Sequence, residues 1–165
     1  LIEHWLPKGH EIFVIDNFAT GKREVVPNIK GLTVVEGSVA DAKLVNQCFE
    51  KFKPEVVIHA AASYKDPENW VEDATTNVIG SAIVARAAKV NAVANLINFQ
   101  TALCYGRPQT LPIPITHPTA PFTSYGITKT AGEQFMLMSG VPTLSLRIAN
   151  VTGPRLAIEI GRAHV

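Results

Sequence analysis

The sequence predicts an α/β fold in which a doubly wound parallel sheet is covered by helices on both faces. Short apolar runs rich in β-branched residues alternate with longer segments of helical period, an order that predicts right-handed strand–helix–strand crossovers. The 165 residues are 47% hydrophobic and 18% charged, a composition typical of one globular domain. No internal repeat interrupts this alternation.

Five strands and three helices account for the alternation. The strands are predicted at 12–16, 32–36, 56–60, 95–100 and 143–148. The helices, where apolar residues recur every three or four positions, are predicted at 42–52, 70–90 and 124–138. Residues 1–6 form a helical face that Pro7 and Gly9 end, and five prolines make 107–121 a loop.

The charge balance and the cysteines exclude several classes of protein. Fifteen Lys and Arg stand against 14 Asp and Glu, and a formal net charge of +1 does not favour binding to nucleic acid or to an anionic membrane. No apolar stretch reaches the roughly 18 residues of a membrane-spanning helix, and no signal-peptide pattern is visible. Cys48 and Cys104 stand far apart without metal-ligand neighbours, which favours a reducing cytoplasm and excludes a cysteine metal site.

An acidic residue, Asp16, stands at the carboxyl end of the first predicted strand and is followed by Asn17. In doubly wound nucleotide-binding domains, a carboxylate at the end of the second strand accepts hydrogen bonds from the adenosine ribose and repels a 2′-phosphate, which selects NAD over NADP. The same dipeptide is ordinary turn chemistry after a strand. Both interpretations stand at this point.

Tyr125 and Lys129 lie four residues apart in a predicted helix, which places their side chains on one face. An ammonium beside a phenol favours the phenolate, so we expect Lys129 to lower the pKa of Tyr125. Tyr125 would then act as a general base toward a sugar or alcohol hydroxyl. One Tyr–Lys pair at this spacing is weak evidence for a catalytic pair. The alternative is that both residues are simply exposed on the helix.

Six segments follow one another along the chain in a recognisable order. They are IDNF at 15–18, VIHAAA at 57–62, NVIGS at 77–81, TALCYG at 101–106, SYGITK at 124–129 and LRIANVTGP at 146–154. In this order and at this spacing they resemble the extended short-chain dehydrogenase/reductase family, in its NAD-dependent sugar-nucleotide epimerase/dehydratase branch. The resemblance implies a Rossmann-like NAD-binding domain, bound NAD, a nucleotide-sugar substrate (a UDP-sugar before others) and a homodimer.

The resemblance also assigns roles to individual positions. Thr101 would hydrogen-bond the reacting hydroxyl, Tyr125 would be the base, Lys129 would hold the nicotinamide ribose, and Asn150 would contact the substrate. The implied cofactor contacts are Asp16 and Asn17 at the adenosine ribose, Ser38 and Val39 at the adenine, Ala60, Ala61 and Ala62 in a turn beneath NAD, Asn77 supporting that turn, and Tyr125 and Lys129 at the nicotinamide end.

The family often has Asp where Ser38 stands, so the serine hydroxyl would replace that adenine contact only in part.

Three further residues have structural interpretations. His59 ends a buried strand, Cys104 belongs to the core, and Arg147 pairs locally; we expect none of them to be catalytic.

Ala102 and Leu103 narrow the reaction within the family. Members that dehydrate the sugar carry an Asp-Glu pair there, and the decarboxylases carry a Glu, because those steps need an extra acid or base. Alanine and leucine transfer no proton. The resemblance therefore favours epimerisation at C4 through a 4-keto sugar. The alternatives are a reductase, dehydrogenase or dehydratase of the same family, or a non-catalytic nucleotide-binding homologue.

We interpret the chain as part of a longer protein. A glycine-rich phosphate-binding turn is not among the 165 residues; we expect that turn and the first strand to precede Leu1, and a substrate-binding region to follow. In the family's strand order, 3-2-1-4-5-6, the first strand is central, so the five strands should split into a pair and a trio. We expect this piece alone to be inactive.

Residues 159–165, EIGRAHV, resemble a translated sequencing adapter. We therefore treat 1–158 as a partial NAD-binding domain and 159–165 as a non-native tail. An ordinary charged tail is the alternative.

Overall fold

Five parallel strands form two sheets in the computed structural model, which describes residues 1–151. Strands β1 (Ile12–Asp16) and β2 (Leu32–Glu36) form one sheet. Strands β3 (Val56–His59), β4 (Asn95–Thr101) and β5 (Thr143–Ile148) form the other, with β4 in the middle. The predicted split into a pair and a trio is confirmed. The proposed tail at 159–165 lies outside the described residues.

Helices connect the strands as predicted. They are α1 (Ile2–Trp5), α2 (Ala42–Phe52), α3 (Trp70–Asp73), α4 (Ser81–Val90) and α5 (Ser124–Met138). Between α3 and α4 the chain stays helical but adopts π geometry over Ala74–Gly80, which we call the π segment. The single helix predicted at 70–90 is therefore wrong in its middle. Short 3-10 turns at Leu6–Lys8, Arg23–Val25 and Ala102–Tyr105 were not predicted.

Side-chain caps fix where two of the long helices begin. The carboxylate of Asp41 accepts a hydrogen bond from Leu44 N at 3.0 Å and begins α2. The hydroxyl of Thr123 accepts one from Gly126 N at 3.1 Å and begins α5. Each cap satisfies a backbone donor that the first helical turn leaves free, typically worth about 1 kcal/mol. The cap on α5 sets the position of Tyr125, two residues on.

The apolar core lies where α2, α4 and α5 meet the central strand of the trio. The small alanine side chains of α4 allow that helix to pack closely against the rest of the core. The most deeply buried members of the core are Val45, Ala87, Ala88, Leu96 and Met136. Packing of α2 against α4 joins the β1–β2 pair to the trio.

A close approach between α5 and the π segment holds the two together. At Gly132 a Cβ would collide with the carbonyl oxygen of Asn77 and lie 2.7 Å from Ser81 Oγ. Only glycine leaves room for this contact, because backbone lies directly opposite. The contact places α5 directly against the π segment.

Replacing Gly132 with alanine should therefore destabilise the protein. Alanine gains up to about 1 kcal/mol of helix propensity, but overpacking a site that cannot yield typically costs about 1–3 kcal/mol. We expect a net loss of about 1–2 kcal/mol in chemical denaturation of the full-length protein that carries this chain. Gly21→Ala is the control, since nothing lies within 4 Å of a Cβ there. Equal stability of the two variants would contradict the packing argument.

Candidate active site

A cleft separates the two sheets, at the place where the sequence analysis expects the central first strand of the longer protein. Residues of both β1 and β3 line this cleft, and most of the predicted cofactor contacts lie along it. The predicted contacts found on its wall are Asp16, Asn17, Ser38, Val39, Ala60, Ala61 and Ala62. Residues from three different strand ends thus meet in one space, as parallel strands require of their carboxyl ends.

The Asp16–Asn17 turn is built from its own side chains. Asp16 Oδ1 accepts a hydrogen bond from Phe18 N at 2.8 Å, and Asn17 Oδ1 accepts one from Ala19 N at 3.1 Å. The turn-chemistry interpretation is thus correct as a description of the backbone. Both side chains are also exposed in the cleft, so the ribose-binding role stays a prediction.

Ser38 and Val39 follow β2 and are fixed by different contacts. Ser38 Oγ accepts a hydrogen bond from Ala40 N at 3.1 Å. Val39 is buried against Gly80 at the end of the π segment, where a Cβ would lie 2.8 Å from the valine Cγ2. The valine therefore links the β1–β2 pair to the π segment.

Asn77 holds the turn that follows β3. Its buried amide accepts a hydrogen bond from Ser63 N at 2.9 Å and donates to Ser63 O at 2.9 Å, so it grips the residue just after Ala60–Ala62. The same amide nitrogen donates to Thr128 Oγ1 at 3.0 Å. One side chain thus joins the turn to α5, which is the support predicted for it.

Thr101 and the Tyr125–Lys129 face of α5 lie at the carboxyl end of the trio. Thr101 is buried, and its hydroxyl accepts a hydrogen bond from Leu103 N at 3.2 Å. The neighbouring Gln100 donates to Lys129 O at 3.1 Å, which brings the end of β4 against α5.

Asn150 reaches the same end of the trio by a different strand. It stands exposed two residues beyond Ile148, the partner of Thr101 in the parallel register. No contact joins its side chain to Tyr125 in the described residues, so its substrate role stays a prediction.

The pKa of Tyr125 does not move in the expected direction. Burial of the phenol raises its pKa, and electrostatic interactions with Tyr64 and Asp73 raise it further. The predicted lowering of the Tyr125 pKa is therefore wrong for this structure, in which the net shift is upward. The physical reason is tertiary: the phenol is desolvated beside a buried carboxylate.

Lys129 is itself perturbed by its surroundings. Burial lowers the pKa of its ammonium to about 8, and the carboxylate of Glu133, one turn further along α5, opposes that shift. Nearly all of the side chain is buried. Lys129 therefore changes its charge within the physiological range, whereas an exposed lysine does not.

Asp73 is a buried site residue that the sequence did not predict. Its Oδ1 accepts a hydrogen bond from Ser63 Oγ at 2.9 Å, and its Oδ2 accepts one from Ser124 Oγ at 2.7 Å. It therefore ties the turn after β3 to the residue preceding Tyr125. No local signal marks it, because Ser124 is 51 positions away in the sequence.

Tyr64 is a second site residue that was not predicted. Its ring lies 6.1 Å from that of Tyr125, between centroids, and it lines the cleft while more than half exposed. An aromatic side chain directly after a small-residue turn was the available signal.

The three residues interpreted as structural have partners or are buried in the core. Ser81 donates its hydroxyl hydrogen to Asn77 O, so His59 Nε2 donates to Ser81 Oγ at 3.0 Å. Burial holds the pKa of His59 at about 3, so the ring is neutral at physiological pH. Cys104 is fully buried, and Arg147 pairs with Glu133 at 3.4 Å.

The described part of the chain has neither a metal-binding cluster nor a membrane-spanning helix. Within residues 1–151 no three or more His, Cys, Asp and Glu side chains are grouped to hold a metal ion. Over the same residues, no helix has the length and apolarity needed to cross a membrane.

The fold and this site define a class of protein. A model of the NAD dependent epimerase/dehydratase family matches residues 1–164, and the chain belongs to that family. UDP-glucose 4-epimerase from Corynebacterium glutamicum is 34% identical over 163 residues, covering 93% of this chain and 46% of the relative.

Solved structures resemble the chain over the same extent. The Bordetella bronchiseptica enzyme WbmG, solved with NAD and with NAD and UDP, is 69% identical with a TM-score of 0.93 over 95% of this chain and 51% of WbmG. The UDP-glucose 4-epimerase of Thermus thermophilus, solved in complex with NAD, is 33% identical, with a TM-score of 0.86 over 94% of this chain and 52% of that enzyme. The chain thus spans about half the length of these proteins.

Asp73→Asn should lower the pKa of Tyr125, because it removes one of the negative charges that oppose the phenolate. We expect the pKa of Tyr125 in the full-length protein to fall, as measured by phenolate absorbance and assigned by subtracting the titration of Tyr125→Phe. Asp66→Asn is the control: Asp66 is exposed and bonds only the backbone of Glu68 among the described side-chain contacts. A shift of equal size in both variants would refute the role of Asp73.

Proposed function

We propose that the full-length protein carrying this chain epimerises a nucleotide sugar, at C4, with NAD as its cofactor. The observation that carries the proposal is the hydrogen bond from Gln100, the residue before Thr101, to the backbone oxygen of Lys129, which brings the end of β4 against the helix that carries Tyr125 and Lys129. We further propose that residues 1–158 belong to its NAD-binding domain and 159–165 do not.

The described residues fit NAD at two of its parts. The carboxylate of Asp16 ends β1 in the cleft and suits a ribose diol. The turn Ala60–Ala62 has no side chain larger than a methyl group, which leaves its backbone open to a flat ligand. NAD would supply reversible acceptance of a hydride from the sugar carbon. WbmG and the Thermus epimerase, both solved with NAD, support this assignment.

In this proposal the chain's own residues handle the proton. Tyr125 takes the proton of the sugar hydroxyl, and Thr101 orients that hydroxyl by a hydrogen bond. Because its surroundings raise the pKa of Tyr125, the phenolate needs a nearby cation, and Lys129 is the cation on its own helix face. Ala102 and Leu103 offer no further acid or base, which disfavours dehydration.

A UDP-sugar is the substrate class we propose. WbmG was solved with UDP, and the curated relative from Corynebacterium glutamicum is a UDP-glucose 4-epimerase. We propose that Asn150, exposed beyond β5, contacts the nucleotide-sugar portion.

The cytoplasm is the compartment we propose, on the basis of Cys48 and Cys104. Both cysteines are free and buried, and burial raises the pKa of each thiol. Unpaired thiols of this kind suit a reducing environment.

We also propose a homodimer formed through α4 and α5. Both helices leave large apolar side chains in solvent: Val90, Ile127, Phe135, Leu137 and Met138.

Light scattering of the full-length protein should give twice the monomer mass. Met138→Glu should halve that mass, because a buried unpaired carboxylate in the dimer contact is costly. Monomer mass for the wild type would contradict the proposal.

Tyr125→Phe tests the proposed base directly. Interconversion of UDP-glucose and UDP-galactose by the full-length protein, followed by NMR, should fall by about 10² to 10⁴-fold while NAD still binds. Tyr105→Phe is the matched control: it removes the same hydroxyl from a buried tyrosine whose partner is Arg147, and it should turn over within a few fold of wild type.

The other outcomes identify the alternatives. Net consumption of reduced cofactor, followed by its absorbance, would mean a reductase, since epimerisation leaves the cofactor unchanged overall. NAD binding without turnover of any nucleotide sugar would mean a non-catalytic homologue. Unchanged turnover in Tyr125→Phe would reject Tyr125 as the base.

A further inference from the structure

The surface between α5 and the trio is polar where a helix–sheet contact is normally apolar. Asn98 and Gln100 are two residues apart on β4, and their partners Ser145 and Arg147 are two residues apart on β5. All four side chains therefore lie on one face of the sheet, the face covered by α5. We call these four residues and Glu133 the polar layer. No buried side-chain nitrogen or oxygen among residues 1–151 lacks a hydrogen-bond partner, so the layer is fully paired.

Glu133 is the centre of the polar layer. It is almost completely buried, and its Oε1 accepts a hydrogen bond from Ser145 Oγ at 2.6 Å. Its Oε2 accepts from Gln100 Nε2 at 3.3 Å and from Arg147 Nη2 at 3.4 Å. Three donors from two strands fix the position of this carboxylate.

Gln100 extends the layer to the proposed catalytic residues. Its side-chain oxygen accepts a hydrogen bond from Thr101 N at 2.8 Å, and its amide nitrogen also donates to Lys129 O at 3.1 Å. An unbroken set of contacts therefore runs from Thr101 through Gln100 to Lys129 and Glu133. A shift of α5 along the sheet would break several of these bonds together.

The titratable groups of Lys129 and its neighbours come from five elements. On α5 they are Tyr125 and Glu133, and on β3 it is His59, whose ring is neutral. Glu133 also raises the pKa of Arg147 on β5 and of Cys104, which follows β4. Asp73, at the end of α3, acts on Tyr125. Of these, Glu133 is the carboxylate on the lysine's own helix face, one turn away.

We propose that Glu133 is a positioning residue for Lys129: its buried carboxylate binds β4 and β5 and so fixes the turn of α5 that carries the lysine, and it lies one turn from the lysine on the same face of the helix. The inference rests on the proposed function, in which Lys129 must carry a positive charge beside Tyr125. Without Glu133 the buried amine would lose its proton at lower pH, and the phenolate would lose its cation.

Glu133→Gln tests the charge while preserving the shape of the side chain. In the full-length protein we expect the alkaline limb of the kcat profile to move about one pH unit lower, with a smaller change in KM. The ¹³Cε resonance of Lys129, assigned by its loss in Lys129→Met, should show the same shift in titration. Ser145→Ala is the matched control: it removes one donor to Glu133 but no charge, so it should lower Tm and leave the lysine titration in place.

The outcomes separate this inference from the proposed function. A shifted lysine titration in a protein with no epimerase activity would uphold the inference about Glu133 and reject the function. An active protein whose lysine titration is the same in wild type and Glu133→Gln would overturn the inference, as would equal shifts in Glu133→Gln and Ser145→Ala. Should Glu133→Gln not fold, Glu133→Asp decides: it keeps the charge, so the titration should stay within about half a pH unit of wild type while Tm falls, and a larger shift would overturn the proposal.

Discussion

The position of α5 is the constraint on which the rest of the site depends, and hydrogen bonds hold that helix from two sides. On one side Asn77 reaches Thr128 and Asp73 reaches Ser124, which ties α5 to the turn after β3. On the other side Gln100 joins Lys129 O to the end of β4. Hydrogen bonds are directional, so they fix the rotation of α5 as well as its distance from the sheet. Tyr125 and Lys129 thus share one orientation relative to Thr101.

The same arrangement explains why the site has unusual electrostatics. Fastening a helix with buried polar groups places charges where water cannot screen them. Asp73 therefore opposes ionisation of Tyr125, while Glu133 supports the charge of Lys129. Asp73 and Glu133 thus act in opposite ways on the ionisation of Tyr125 and Lys129. The difference comes from the positions that the tertiary structure gives the two carboxylates.

The local features of the sequence predicted the strands and the ends of two long helices, because those depend on nearby residues. β1, β2 and β5, and helices α2 and α5, begin and end where the apolar period predicts. The π segment had no such signal, since i→i+5 bonding needs no particular residue type. The direction of the Tyr125 pKa shift was missed for a related reason: it depends on burial of the phenol and on Tyr64 and Asp73, which are distant in sequence.

The π segment lets one continuous helical stretch pack against two surfaces that a regular α-helix would not face at the same time. Before it, Asp73 faces the turn after β3 and the start of α5. After it, Val84 and Ala88 face the apolar core. Wider π turns advance the helix by a smaller angle per residue, so the segment changes the rotational phase between its polar end and its apolar end. Loss or gain of one residue in Ala74–Gly80 would leave a helix but turn one surface away from its partner. The length of this segment is thus a determinant of the site in addition to Asn77 and Gly80, whose contacts with Ser63 and Val39 depend on residue type.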